Sequence, residues 1–356
     1  MIKQKNMQAV VYKGNGEVIL TERPVPKLID PKDALIKVTL STICSSDIHI
    51  KHGSVPKAIP GTILGHEFVG EVVEIGSDVH NFSVGDRVAV NVETFCGDCF
   101  FCKQGFVNNC EDKNGGWALG CRIDGGQSEY CRIPYADNGL TRIPDTVSDE
   151  AALFTGDILS TGYWAAKIGD LKPAQTVVVI GAGPTGLCTM MSARLYSPSK
   201  LIVIDHDPYR LQYAKEQGLA DITYCTEHNP SMDEIETFVK KECNNRGADV
   251  VFEVAGGKNT FEMAWRIARA NANIVVVALY EEAQTLPLPD MYGKNLTFKT
   301  GGVDGSYCDE IMELIANGKL DTNCLITHQT ALSDAMHAYD IFENKKDHVI
   351  KYLLKP

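Results

Sequence analysis

The stretch that decides the fold is Thr176-Val177-Val178-Val179-Ile180-Gly181-Ala182-Gly183-Pro184-Thr185-Gly186. A β-branched apolar run ends on a glycine cluster, and the residues beyond it, Pro184 to Tyr196, read as a helix. A bare G-x-G-x-x-G is a weak signal, because turns are rich in glycine. Here a strand precedes it and a helix follows, which is the context the motif needs. Gly181 permits the tight turn, Gly183 lets backbone approach a pyrophosphate, and Gly186 lets helix and strand pack closely. The free N–H groups of the helix start then face the anion. Pro184 and Thr185, inside the loop, join the three glycines as cofactor-binding candidates.

Outward from this loop the same beat repeats. Leu201–Asp205 is a second apolar run, followed by a helical pattern over Tyr209–Gln217. Asp249–Val254, a helix around Phe261–Ala268, and Ile274–Leu279 continue it. Alternating β and α of this kind predicts a parallel, doubly wound Rossmann sheet covered on both faces, over residues 158–298. Asp205 closes the second run about 20 residues beyond the glycines, where an acid accepts the ribose hydroxyls and repels a 2′-phosphate. That favours NAD over NADP. Arg210 argues the other way, since a nearby arginine can receive that phosphate, and Asp205 as a helix cap is the plain alternative.

The texture differs before Tyr135. Short β-rich runs (Gln8–Tyr12, Ala34–Leu40, Gly70–Ile75, Arg87–Val92) are separated by turn residues such as Asn15-Gly16 and Val84-Gly85-Asp86. Strands spaced this way without helices between them predict an antiparallel, barrel-like domain. The tail after Lys299 reverts to mixed texture and is expected to fold back onto that domain. Residues 1–157 with 299–356 thus form one expected domain and 158–298 the other, an α/β chain overall.

Cys96, Cys99, Cys102 and Cys110 follow C-x2-C-x2-C-x7-C. Four thiolates so close in sequence can close a tetrahedral shell around Zn²⁺ with no open position, a structural site. An iron–sulfur cluster is the rival, but those motifs continue with x3-Cys-Pro. Here the gap is seven residues and Glu111 follows.

The chain has 356 residues, room for two domains with their own cores, and a formal net charge of −12. No basic cluster draws it to nucleic acid or anionic membrane, and no apolar run approaches the roughly 20 residues that span a bilayer. The opening residues lack a signal-peptide core, so a cytoplasmic location is expected. Twelve cysteines are many for a cytosolic chain, and the four that fall within one short stretch, poor disulfide candidates in a reducing compartment, read as metal ligands.

Three further features lie apart: Cys44-Ser45-Ser46-Asp47-Ile48-His49, Gly65-His66-Glu67-Phe68-Val69-Gly70, and Thr155-Gly156-Asp157. A catalytic zinc takes about three protein ligands of mixed S, N and O type and keeps one position open. Cys44, His66 and Asp157 offer that set, with Glu67 beside them. Taken singly, Cys44 reads equally as a buried core thiol and Asp157 as a helix N-cap.

Together with the cysteine lobe and the glycine loop, these segments resemble the zinc-containing medium-chain alcohol dehydrogenases, in the family's order, from about Gln8 to Tyr352. The resemblance implies a GroES-like β-barrel catalytic domain around a central Rossmann domain, with the active site in the cleft between them. It implies Cys44, His66 and Asp157 as catalytic zinc ligands, Glu67 alternating with water, and Ser46 and His49 as a proton relay. It also implies Trp117, and more weakly Tyr280, as substrate-pocket residues. Two zinc ions per subunit, bound NAD and a homodimer or homotetramer joined through Rossmann edge strands complete the expectation.

The resemblance divides between subfamilies. Cys44 to His49 and an aspartate at 157 resemble the bacterial secondary alcohol dehydrogenases, which prefer NADP and commonly lack the lobe. The lobe and Asp205 resemble NAD-using polyol, threonine and butanediol dehydrogenases. A secondary alcohol or matching ketone, hydroxysteroids included, is the expected substrate, with a polyol as the alternative. A zinc-free reductase or a non-enzymatic NAD-binding protein on the same fold is the competing class.

Overall fold

Asn15 and Gly16, both at positive φ (52° and 81°), turn the strand Asn6–Gly14 back onto Glu17–Pro24. Positive φ at both central residues is what a two-residue hairpin of matching twist requires. The computed structural model describes residues 4–356. They fold as two units, one made of the chain up to Ser160 with Asp304–Pro356, the other of Thr161–Val303.

The first unit is built on a seven-stranded sheet. Its order is Ile326–Ala331, Lys351–Lys355, Ala34–Thr42, Phe68–Ile75, Arg87–Val90, Leu140–Arg142, with Tyr130–Ile133 also pairing Ala34–Thr42. All pairs are antiparallel except the two tail strands with each other. The period of two is explicit in Ala34–Thr42, where Ile36, Val38 and Leu40 point inward while Lys37 and Thr39 face solvent. Ile36, Val38, Phe68, Val72, Val88 and Val90 pack together beneath the sheet, each worth roughly 1.5–3 kcal/mol of burial.

Two pairings in this sheet place the chemistry. Ser41 opposes Phe68, so the residues just beyond one strand lie beside those just before the other. Leu353 and Leu354 oppose Thr42 and Ser41, which brings the end of the chain under the same corner.

The second unit is a six-stranded parallel sheet in the order Ile222–Cys225, Lys200–Asp205, Thr176–Ile180, Ala248–Glu253, Ala268–Val276, Thr297–Thr300. In chain order this is 3-2-1-4-5-6, the doubly wound arrangement whose ligand crevice opens where the order reverses, beside Thr176–Ile180. Two strands and the helix Met232–Glu242 were not legible in the apolar runs. Ile222–Cys225 and Thr297–Thr300 are the sheet's edges and carry no fully buried residue, so they lack the continuous apolar signal of the inner strands. Among the described residues no helix is long and apolar enough to cross a membrane.

Candidate active site

Cys44 follows the strand Ala34–Thr42 and caps the helix Ser45–Lys51. His66 and Glu67 lie immediately before the strand Phe68–Ile75, after Gly65 at φ +94°. A Cβ on Gly65 would stand 2.6 Å from the backbone nitrogen of Gln127, so only glycine fits that turn. Asp157 precedes the helix Ile158–Ile168. Strand pairing brings the first two segments together and the Val92 amide, donating to the Gly156 carbonyl, ties in the third, so that Cys44, His66, Glu67 and Asp157, all buried, present donor atoms within 4.8 Å of one another.

Cys44 Sγ lies 3.9 Å from Asp157 Oδ2, and His66 Nε2 lies 3.2 Å from the same oxygen. Neither ring nitrogen of His66 makes a hydrogen bond with a described residue, although the ring is 1% exposed. A buried imidazole is not left idle unless something else satisfies it. Zinc bonds of about 2.0–2.3 Å place tetrahedral ligands roughly 3.3–3.8 Å apart, so the donor set suits that ion. Burial alone would lower the pKa of His66, yet the acidic groups of Asp47, Asp157 and Cys44 hold it well above its usual value. The same field attracts a divalent cation.

Two groups support this cluster that the sequence reading did not single out. Asp47 Oδ1 lies 3.5 Å from His66 Nδ1, while its Oδ2 accepts from the Cys44 amide and Gln127 Nε2, both at 2.9 Å. Gln127 is held in turn by the Tyr339 hydroxyl at 2.7 Å. A carboxylate behind a ligating histidine fixes its ring and tautomer. Lys351, fully buried, donates from Nζ to Glu67 Oε2 and to the Ile43 carbonyl. Glu67 is pushed up by burial and drawn down by Lys351. The only sequence trace of Lys351 is a charge inside the apolar run Val349–Leu354.

The cysteine lobe is a second closed set. Cys96, Cys99, Cys102 and Cys110 gather within 4.8 Å, and Cys96 Sγ lies 3.6 Å from Cys110 Sγ. Backbone amides of Cys96, Asp98, Cys99, Cys102 and Asp112 donate to these sulfurs at 3.3–3.5 Å. Amide donors of this kind stabilise thiolate over thiol. The Glu111 and Cys102 amides draw the Cys99 thiol down to about 6, whereas burial pushes the Cys102 and Cys110 thiols up. All twelve cysteines are free, so none is spent in a disulfide.

In the second unit Gly181 turns at φ +110°, and a Cβ on Gly186 would lie 2.1 Å from the Gly181 carbonyl oxygen. The helix Pro184–Arg194 starts at Gly183 with no side-chain cap, so its first N–H groups are open to an anion. Asp205 Oδ2 accepts the Ala182 amide at 2.6 Å and its Oδ1 accepts the Asp207 amide at 2.9 Å. The cap of the next helix is Asp207, not Asp205.

The chain matches the family model "Alcohol dehydrogenase GroES-like domain" over residues 30–145 and the model "Zinc-binding dehydrogenase" over 184–317. It is 32% identical to the sorbitol dehydrogenase of Bacillus subtilis over 99% of this chain and 98% of that one. The chain belongs to the zinc-containing medium-chain alcohol dehydrogenase family. Among solved structures it is similar to the alcohol dehydrogenase TADH from Thermus sp. ATN1, with a TM-score of 0.90, 34% identity and coverage of 98% and 99% of the two chains. It is also similar to an alcohol dehydrogenase of Escherichia coli CFT073 complexed with NADH, with a TM-score of 0.89, 28% identity and coverage of 99% and 100%. Its fold is the GroES-like domain plus the parallel six-stranded sheet, and it is a zinc-dependent oxidoreductase acting on CH–OH groups with NAD(P).

The remaining expected residues of this dehydrogenase fall as follows. Ser46 Oγ lies 3.4 Å from Cys44 Sγ, and His49 sits one turn along the same helix. Trp117 sets its ring edge-on to His66, with centroids 5.4 Å apart, and donates from Nε1 to the Leu119 carbonyl. Tyr280 packs against the core of the second unit, its hydroxyl 2.9 Å from Thr260 Oγ1. Arg210 pairs with Asp207, Nε to Oδ2 at 3.7 Å, and its guanidinium lies 3.5 Å from where a Gly183 Cβ would stand.

One further acid was not anticipated. Glu93 lies on the two-residue strand Glu93–Thr94 and is 5% exposed, with Oε2 unpartnered among the described residues. Burial first, then repulsion by Asp157 and Asp304, pushes its carboxyl up to about 8. A lone acid after the apolar run Val88–Val92 was its only sequence signal.

Proposed function

We propose that this chain transfers hydride between NAD(H) and a secondary alcohol or the matching ketone. The observation that carries the reading is the buried convergence of Cys44, His66 and Asp157, donors of three types drawn from three separate segments. These three would hold the catalytic zinc, with Glu67 beside them as a fourth ligand that Lys351 restrains. The four lobe cysteines would hold a second, structural zinc. When bound, zinc supplies the Lewis acidity that lowers an alcohol's pKa, and the nicotinamide supplies the hydride acceptor.

The residues of the chain do the rest. Ser46 Oγ, next to Cys44, takes the hydroxyl proton from the substrate. His49, at i+3 on the same face of the helix, passes it toward solvent, an imidazole being able both to accept and to give up a proton. Trp117 forms an apolar wall of the pocket and excludes water beside His66. Gly181, Gly183, Pro184, Thr185 and Gly186 receive the pyrophosphate.

NAD is favoured over NADP because the side chain of Asp205 lies against the glycine loop, its Oδ2 accepting the Ala182 amide. Arg210, tied to Asp207, is partly neutralised as a phosphate partner. The subunit contact would run through the edge strand Thr297–Thr300, three of whose four residues are exposed, near the exposed Leu286, Leu288 and Tyr292. An unpaired edge flanked by apolar residues is a template for self-association.

The test is a steady-state screen of NAD and NADP against linear secondary alcohols, polyols and hydroxysteroids, with zinc counted on the same sample. Turnover of secondary alcohols with NAD and about two zinc ions per chain supports the reading. Two zincs without turnover of any alcohol would leave only a cofactor-binding protein.

A further inference from the structure

Glu93 is a buried acid beside the zinc-ligand cluster to which the mechanism above gives no task. It stands directly opposite Trp117 in the short antiparallel pair Glu93–Thr94 with Gly116–Trp117. Residues opposed in this way project to the same face, so the carboxyl runs beside the ring that meets His66 edge-on. Its surroundings leave one oxygen, Oε2, without a partner among the described residues. The Arg122 guanidinium is committed to the carbonyls of Lys113, Gly115 and Trp117. Asp304 is bound by the amide and hydroxyl of Ser306, and Asn91 is taken up by the Glu93 amide and the Gly305 carbonyl. Oε2 is shut away from solvent with no hydrogen bond to a described residue.

A buried polar group left unmatched in the resting protein is costly, and a ligand that supplies its partner recovers that cost. Held at about 8, the carboxyl is protonated at neutral pH. A neutral acid both donates and accepts, which matches a hydroxyl without any change of charge. A cationic group would first require the proton to leave. We propose that Glu93 determines specificity: it pairs with a second hydroxyl on the alcohol being oxidised, so the site takes diols and polyols ahead of simple secondary alcohols. This rests on the secondary-alcohol reading above and narrows its substrate class.

The test compares kcat/KM for 2,3-butanediol and 2-butanol, with NAD, in the zinc-loaded wild type and in Glu93→Gln, Glu93→Leu and Glu93→Ala. The wild type should prefer the diol by about tenfold or more. Glu93→Gln, which keeps a donor and an acceptor, should retain most of that preference. Glu93→Leu should bring the ratio near one, losing on the diol and gaining on the mono-alcohol, with zinc content unchanged. Glu93→Ala gives the same reading should the leucine variant not fold. Equal efficiency on both alcohols in the wild type, or an unchanged ratio in the leucine and alanine variants, overturns the role of Glu93 alone. A zinc-loaded wild type inert toward both alcohols overturns the secondary-alcohol reading as well.

Discussion

The ammonium of Lys351 rests against the carboxylate of Glu67, 284 residues away in the chain, with side chains 1% and 0% exposed. Two charges so far from water persist only because each answers the other. The pair engages one carboxylate oxygen of Glu67, and the other accepts the Ile158 amide at 3.4 Å.

Lys351→Met therefore leaves a buried charge without its partner. The expected loss is about 3–5 kcal/mol of folding stability, read as a lower urea midpoint with an unchanged slope. The double variant Lys351→Met, Glu67→Gln should recover much of it. A midpoint unchanged in the single variant would show that the pair carries no such weight.

Asp47 faces the second nitrogen of His66, and its other oxygen is fixed by the Cys44 amide and Gln127. Asp47→Asn keeps the shape and removes the charge behind the imidazole. Zinc affinity at this site should fall by about 10–100-fold, measured by chelator competition. Affinity equal to the wild type would mean that the imidazole is oriented by something else.

The lobe is predicted to stabilise and not to react. Cys110→Ser should reduce zinc from two ions to one per chain and lower the melting temperature. Turnover per remaining zinc should stay near the wild-type value at low temperature. Loss of turnover with the protein still folded would assign the lobe a part in the reaction.

Asp205→Ala removes the negative charge beside the glycine loop and the acceptor of the Ala182 amide. The NADPH to NADH ratio of kcat/KM should rise by about tenfold, a difference of about 1.4 kcal/mol. A wild type that already uses NADPH as well as NADH would remove the basis for assigning Asp205 this role.

What the sequence showed and what it hid divide by distance along the chain. The glycine loop, the first two Rossmann strands and the cysteine lobe are local patterns, each complete within some 30 residues. The catalytic group is not local: Cys44, His66 and Asp157 were joined only through family resemblance, because pairing of Ala34–Thr42 with Phe68–Ile75 is what makes Cys44 and His66 neighbours, and a loop contact from Val92 to Gly156 brings in Asp157. Lys351 needed the tail strand to pair with Thr42, a contact that no period or spacing reveals. Gln127 and Tyr339 were hidden for the same reason. Glu93 left a trace, an acid beside an apolar run, but only burial without a partner distinguishes it from a solvated carboxylate.

The central claim is that Cys44, His66 and Asp157 hold a zinc on which turnover depends. Metal content and kcat/KM measured on the same preparation of Cys44→Ser test it most directly. The wild type should carry two zinc ions per chain and oxidise secondary alcohols, and the variant should carry one and lose turnover by about a thousandfold or more. Two zincs in the variant, or wild-type turnover with one, would contradict the assignment.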